Sequence, residues 1–218
     1  MNGANGDRSR PEDSELGVPR PVTVRRATPA DAPAIADIVA RSFPDKFLPA
    51  FATEERAIRA LTPYIHASIT RAGNYVFVAT IGDHIAGTVS LCVRKAIVIG
   101  VFGMFVRAIG LPGALRAMLV LGMLGDPSPT PDEAYVEVLG VAPEFQRHGV
   151  GRAMMVAVEA FARELRKRRL TLYVTANNHP AQALYTGQGM TVQRRTPSLV
   201  GLVLFRAPGF WRMEKRLV

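Results

Sequence analysis

Between Pro143 and Arg152 the chain reads PEFQRHGVGR. Gly149 and Gly151 flank Val150, and Arg147, His148 and Arg152 stand around them. An apolar run, VLGVA from Val138 to Ala142, precedes this turn, and a long stretch of helix-forming residues follows it. The start of a helix leaves about four backbone N–H groups without partners and carries roughly half a positive charge. It therefore favours an anion. Glycines keep side chains away from those N–H groups. Gly149 can also take a positive φ, which turns successive N–H groups into a concave nest. The chemistry within reach of such a turn is the binding of a diphosphate. Taken alone, a G-x-G can also simply open a helix.

Other phosphate motifs fit poorly. No G-x-x-x-x-G-K-[ST] is present, so the turn is not a P-loop. A dinucleotide fingerprint needs G-x-G-x-x-G, and here Gly149-Val150-Gly151 is followed by Arg152, Ala153 and Met154. Further along lies NHPAQALYTGQGM, Asn178 to Met190.

Together these segments carry a resemblance. Gln146-x-x-Gly149-x-Gly151, after VLGVAP and opening an amphipathic helix, resembles the acetyl-CoA loop of the GNAT (GCN5-related N-acetyltransferase) superfamily. Asn178 to Met190 resembles that superfamily's second motif, N-x-x-A-x-x-L-Y-x-x-x-G-F, with Met190 replacing the aromatic. The resemblance covers about Val22 to Leu217 and is weakest at Ala96 to Gly125. It implies an α/β fold with a mixed, mostly antiparallel central sheet flanked by helices. It also implies an acetyl-CoA-dependent N-acetyltransferase acting on a primary amine of a small molecule or protein by direct attack in a ternary complex.

The resemblance assigns roles residue by residue. The diphosphate would sit on the N–H groups of Arg147, His148, Gly149, Val150, Gly151 and Arg152, next to Gln146. The pantetheine arm would pair with the backbone of Leu139 and Val141, with Gly140 allowing close approach. The superfamily strand usually carries a bulge here. Tyr185 would protonate the departing thiolate; read alone it is a packed aromatic. Asn178 would bond pantetheine or fix its loop, and it also suits a helix N-cap. An alkylammonium has a pKa of about 10.4 and must lose a proton before it attacks. Glu137 is the base candidate, since strand alternation would put Glu137, Leu139 and Val141 on one face. A solvated strand-end carboxylate is the competing reading, and Glu133 is a more distant substitute.

The elements that must position these residues are legible in pattern. Val22 to Arg25 suggests a strand. Thr28 caps a helix whose apolar face is Ile35, Ile38 and Val39, and a second helix is expected over Thr53 to Ala72. Asn74 to Arg94 reads as a hairpin turning at Gly82-Asp83. Ala134 to Val141 is a strand, and Gly149 to Arg169 a helix with Val150, Met154, Val158, Phe161 and Leu165 on one face. Its final turn, Arg166 to Arg169, would complement the helix dipole. Leu170 to Val174 is a strand, Pro180 to Thr186 a helix, and Thr191 to Arg194, Val200 to Phe205 and Trp211 to Leu217 complete the sheet.

Between the third and fourth strands, residues 95–133 form an apolar insertion. Ala96 to Gly125 is nearly all apolar, but Arg107, Pro112 and Arg116 interrupt it. A membrane span needs about 20 apolar residues in a row. The expectation is one or two buried helices forming a cap or pocket wall; a surface touching lipid, a greasy substrate or a second subunit is the alternative.

The chain's 218 residues, 48% of them hydrophobic, suit one globular domain over 21–218. Met1 to Arg20 is polar, reads as a disordered tail and lacks the apolar core of a signal peptide, so a cytoplasmic location is expected. The single cysteine, Cys92, excludes an internal disulfide framework and fits a small buried residue better than a nucleophile. No Cys/His cluster has metal-ligand spacing, and no metal is expected. The net charge of +9 suits an acidic partner. A polyphosphate acyl donor fits this; without aromatic–basic interleaving or a helix-turn-helix, nucleic acid is not expected. The superfamily often dimerises, and the insertion offers a surface for a homodimer.

Overall fold

In the computed structural model, which describes residues 21–94, 100–122, 128–199, 201–202 and 206–217, the alternating apolar runs become seven strands. They are β1 (Val22–Arg26), β2 (Asn74–Ile81), β3 (His84–Cys92), β4 (Glu133–Val141), β5 (Arg169–Thr175), β6 (Thr191–Pro197) and β7 (Gly209–Arg216). The sheet order is β1-β2-β3-β4-β5-β7-β6. Every pairing is antiparallel except β4 with β5. A parallel pair needs a crossover, and α5 (Val150–Glu164) supplies it.

The other helices are α1 (Ala32–Ser42), α2 (Pro44–Phe51), α3 (Glu54–Thr70), α4 (Val101–Gly122) and α6 (His179–Gly187). Two apolar layers hold the sheet. Ile35, Val39, Leu61 and Ile65 of α1 and α3 cover one face with Val76 and Val78. Val150, Met154 and Val158 of α5 cover the other, with Val89, Leu91 and Val136. Gly87 lets α5 come close: a Cβ there would lie 2.8 Å from Val150 Cγ1 and 2.9 Å from Met154 Cε. The entry to α1 is tied by the Asp31 carboxylate, which accepts from the Thr28 N–H at 2.7 Å and from Arg25 at 2.8 and 2.9 Å.

Several sequence expectations change. The helix after the glycine turn stops at Glu164. Arg166 takes a left-handed φ of 56° and the Lys167 N–H closes onto the Ala162 carbonyl. The basic run therefore leaves the helix: Lys167 Nζ donates to the Pro131 carbonyl, and Arg169 opens β5 and pairs with Asp132 at 3.0 Å. α2 was not anticipated. Of the strand expected over Val200 to Phe205, Gly201 and Leu202 are helical, and 200 and 203–205 lie outside the described residues. The tail over 1–20 lies outside them too.

The insertion departs furthest. α4 is two helical stretches broken at Gly110 (φ 78°, ψ 165°), and it packs on α2 and α3. Phe105, Ala114, Ala117 and Val120 are buried, and the Arg116 Nε–H donates to the Pro49 carbonyl at 2.8 Å. Leu111, Leu115, Met118 and Leu119 are exposed, Leu119 by 64%. The spacing of these four puts them on one stripe of the second stretch. The expected burial is thus corrected: one face is covered and the other is open and apolar. By length and composition, Val101–Leu121 could cross a membrane.

Candidate active site

The register of β3 against β4 shifts at one point. Ser90 lies opposite Val138 and Leu91 opposite Val136, which leaves Glu137 as an extra residue. This is a β-bulge, and it changes which way the following side chains point. Glu137 and Val138 both line a cavity on the α1/α3 face, whereas Leu139 and Val141 pack toward the α5/α6 layer. The expectation that Glu137, Leu139 and Val141 share a face is therefore overturned, because alternation fails across the extra residue.

The exposed Glu137 carboxylate stands at the mouth of that cavity. The Ser90 hydroxyl reaches its Oε2 at 3.3 Å and the Asn74 Oδ1 at 3.1 Å, one proton serving both. Asn74 Nδ2 in turn donates to the Ser68 carbonyl at 3.0 Å. Behind this polar chain the walls are apolar: Ile35, Val39, Leu61, Ile65, Val76 and Val138.

The bulge sits where two strands part. β4 pairs with β5 from Glu133↔Arg169 to Val136↔Leu172 and no further. Beyond that, β4 continues along β3, while Tyr173 to Thr175 continue along β7. The result is a slot open at the carboxyl ends of β4 and β5. The Ala142 N–H bonds the Ala86 carbonyl on β3, so alternation turns the main-chain groups of Leu139 and Val141 toward the slot. The Ser42 hydroxyl donates to the Val141 carbonyl there at 3.3 Å. Gly140 does something other than expected: a Cβ on it would lie 3.0 Å from Ser42 Oγ and 3.4 Å from Ile38 Cγ2. Its small size makes room for α1.

At the slot's end comes the glycine turn. Arg147 (φ 64°) and Gly149 (φ 78°, ψ 0°) are both left-handed, and the His148 Nδ1 lies 2.8 Å from the Gln146 carbonyl. The first backbone bond of α5 runs from the Ala153 N–H to the Gly149 carbonyl. Among the described residues, the N–H groups of Arg147 to Arg152 meet no backbone carbonyl. A Cβ on Gly149 would meet nothing within 4 Å, so that side of the turn is open. The side chains of Gln146, Arg147, His148 and Arg152 are exposed around it, while Val150 turns inward at 1% exposure. Gly151 lies against α6, where a Cβ would meet Leu184 Cδ2 at 3.0 Å. The turn is a cationic nest of free donors, and a diphosphate fits it.

α6 places the remaining candidates. The Asn178 carboxamide accepts from the Ala181 N–H at 3.1 Å, so it caps the helix, and it also lines a recess with Ser42 and Thr175. Tyr185 is buried at 7% exposure, and desolvation pushes its phenol up to about 12. Glu133 is no substitute base. Arg212 bonds it and Arg169 lies 3.6 Å away, while the Thr130 N–H donates to it at 2.9 Å.

Sequence reasoning missed Ser42, Ser68, Asn74, Ser90, Lys46 and Gln182. Gln182 Nε2 pins the loop before α6 by donating to the Thr175 and Ala176 carbonyls. Lys46 lies in the recess with Asn178, and burial lowers its pKa. None belongs to a recognisable spacing, since each reaches the site from a separate element. Among the described residues no group of three or more His, Cys, Asp or Glu could hold a metal.

Comparison with known proteins agrees with this geometry. The profile of the acetyltransferase (GNAT) family matches residues 32–190. A Bacillus subtilis protein assigned as a ribosomal protein bS18-alanine N-acetyltransferase is 34% identical over 59 residues, which is 27% of this chain and 39% of that relative. The ribosomal-protein-alanine N-acetyltransferase of Brucella melitensis superposes with a TM-score of 0.62 at 19% identity, covering 89% of this chain and 99% of that one. The PaiA N-acetyltransferase of Thermoplasma acidophilum, solved with coenzyme A, gives 0.57 at 13% identity, covering 90% and 99%.

Proposed function

Because this chain belongs to the GNAT acetyltransferase family, we propose that it moves an acetyl group from acetyl-CoA to a primary amine, by direct attack in a ternary complex. The observation that carries the reading is the bulge: it brings the Glu137 carboxylate to the mouth of a cavity where β4 and β5 separate. Acyl donor and amine would meet there from opposite sides.

The donor is a substrate of the reaction. The N–H groups of Arg147 to Arg152 hold its diphosphate, with Arg147, His148 and Arg152 adding charge and Gln146 flanking it. The main chain of Leu139 and Val141 pairs with its pantetheine arm, and Asn178 orders the loop beside it. Glu137, directly or through water, takes a proton from the ammonium. The freed nitrogen attacks the thioester carbonyl, a C–N bond forms, the nitrogen releases its second proton to water, and the C–S bond breaks. A phenol near 12 holds its proton more tightly than a thiol of about 8.5. Tyr185 therefore donates a hydrogen bond to the departing thiolate and keeps its proton until solvent supplies one. This refines a plain general-acid role.

Holding the two substrates together supplies much of the rate. The relatives' names point to an N-terminal alanine as one amine of this class. Thiol release from acetyl-CoA, measured across small amines, amino acids and peptide N-termini, tests the reading. Release with none of them would refute it and favour a non-catalytic acyl-CoA-binding module.

A second reading has one observation in its favour. The stripe of Leu111, Leu115, Met118 and Leu119 suits an acyltransferase that works at a membrane surface on an apolar acceptor.

A further inference from the structure

The cavity behind Glu137 has a composition of its own. It encloses about 110 Å³ between α1, α3 and strands β2 to β4. Ile35, Val39, Leu61, Ile65 and Val76 are each at most 7% exposed and form its walls. The mouth is polar, with Glu137 and Ser90 joined at 3.3 Å. A dry apolar cavity of roughly 150 Å³ takes a benzene ring, so this space is of the order needed for one compact apolar group.

A second, independent feature lies in the wall. Ser68 lines the cavity and is 6% exposed, yet its Oγ has no hydrogen-bond partner. Native proteins seldom leave a buried hydroxyl unsatisfied, because its desolvation is not compensated. The neighbouring polar groups do not serve it: Asn74 Nδ2 bonds the Ser68 carbonyl, and Asn74 Oδ1 accepts from Ser90. A ligand with a polar group at its inner end would supply the missing partner.

Resting on the acetyl-transfer reading above, we propose that the acceptor is a primary amine with a compact apolar body, aromatic or branched, and a hydrogen-bonding group at its far end. Its amine lies at Glu137 and Ser90, its body fills the space between α1 and α3, and its far end meets Ser68. Polyamines are disfavoured, because a second ammonium would have to enter apolar walls. A short, purely aliphatic amine leaves the space empty. Burial is worth roughly fourfold in affinity per CH₂.

The test is the ratio of kcat/KM values with acetyl-CoA as donor and ethylamine, phenethylamine, tyramine, spermidine and an alanine-initiated peptide as acceptors. Phenethylamine should exceed ethylamine by roughly tenfold or more, and tyramine should exceed phenethylamine. Ser68→Ala should fold, since it removes an unpartnered oxygen. It should bring the tyramine-to-phenethylamine ratio to about one, with coenzyme A affinity unchanged by calorimetry. Leu61→Trp should fill the cavity and erase the preference for the ring. Calorimetry with coenzyme A on each variant reports on donor binding separately. Turnover that is flat across the amines, or confined to the peptide or spermidine, overturns the cavity assignment and leaves acetyl transfer standing. An unchanged tyramine ratio in Ser68→Ala overturns the polar contact. Coenzyme A binding without turnover of any amine overturns the assignment, and loss of coenzyme A binding in the wild type overturns the underlying reading as well.

Discussion

Ser90 of β3 donates to the Oε2 of Glu137 at 3.3 Å, across the one position where the β3–β4 register slips. The bulge and the hydrogen bond together hold the carboxylate at the opening of the cavity. A regular strand would have carried the same side chain in phase with Leu139 and Val141, toward the α5/α6 layer.

Glu137→Gln keeps the shape and removes the base. Turnover should fall by roughly 10²- to 10⁴-fold, with coenzyme A affinity unchanged by calorimetry. Because the amine can also lose its proton in bulk water, activity should partly return as pH rises toward about 10. A variant as active as the wild type at neutral pH would remove Glu137 from the mechanism.

In Gly149→Val the Cβ meets no atom within 4 Å, but a β-branched residue is forced to a φ of 78°. The strain costs roughly 1–2 kcal/mol, and the side chain stands over the free N–H groups. The dissociation constant for coenzyme A should rise by roughly tenfold or more. Equal affinity, measured on folded protein, would count against the nest.

Tyr185→Phe should lower kcat with little change in donor affinity, since the phenol acts when sulfur charge develops. The wild-type phenol gives a second readout. Its pKa is about 12 when folded and about 10 when unfolded. The unfolded chain therefore loses this proton first, and stability falls as pH rises from about 10 to 12, by roughly 2–3 kcal/mol. The denaturant midpoint of the wild type should fall relative to that of Tyr185→Phe over that range.

Gly87→Ala places a Cβ within 3.0 Å of Val150, Met154 and the Gly140 carbonyl. Overpacking of this kind costs roughly 1–3 kcal/mol. Thermal unfolding should shift down, and donor affinity should weaken with it, because α5 carries the turn. An unchanged melting temperature would show that the interface yields easily.

Leu115→Glu and Leu119→Glu on α4 alter exposed positions. They should leave turnover of a soluble amine intact and weaken partition into anionic liposomes. Wild-type protein that stays in solution with such vesicles would end the membrane reading.

The sequence by itself was enough for the strand–turn–helix at Pro143 to Arg152, the motif from Asn178 to Met190, and the α/β architecture that follows from them. These are local patterns: backbone freedom at Gly149, apolar spacing along α5, and the β4–α5–β5 crossover that makes one pair parallel. Tertiary structure alone decided the rest. A bulge is a mismatch between two strands, so nothing within β4 announces that Glu137 is the extra residue. The partners of Glu133 come from β5 and β7, and they turn a candidate base into a structural ion pair. Cavity walls at Ile35, Leu61 and Val76, and the unpartnered hydroxyl of Ser68, exist only once α1 and α3 lie on the sheet. Likewise, an apolar composition could not say which face of α4 is covered, because both faces are apolar and only packing on α2 and α3 distinguishes them.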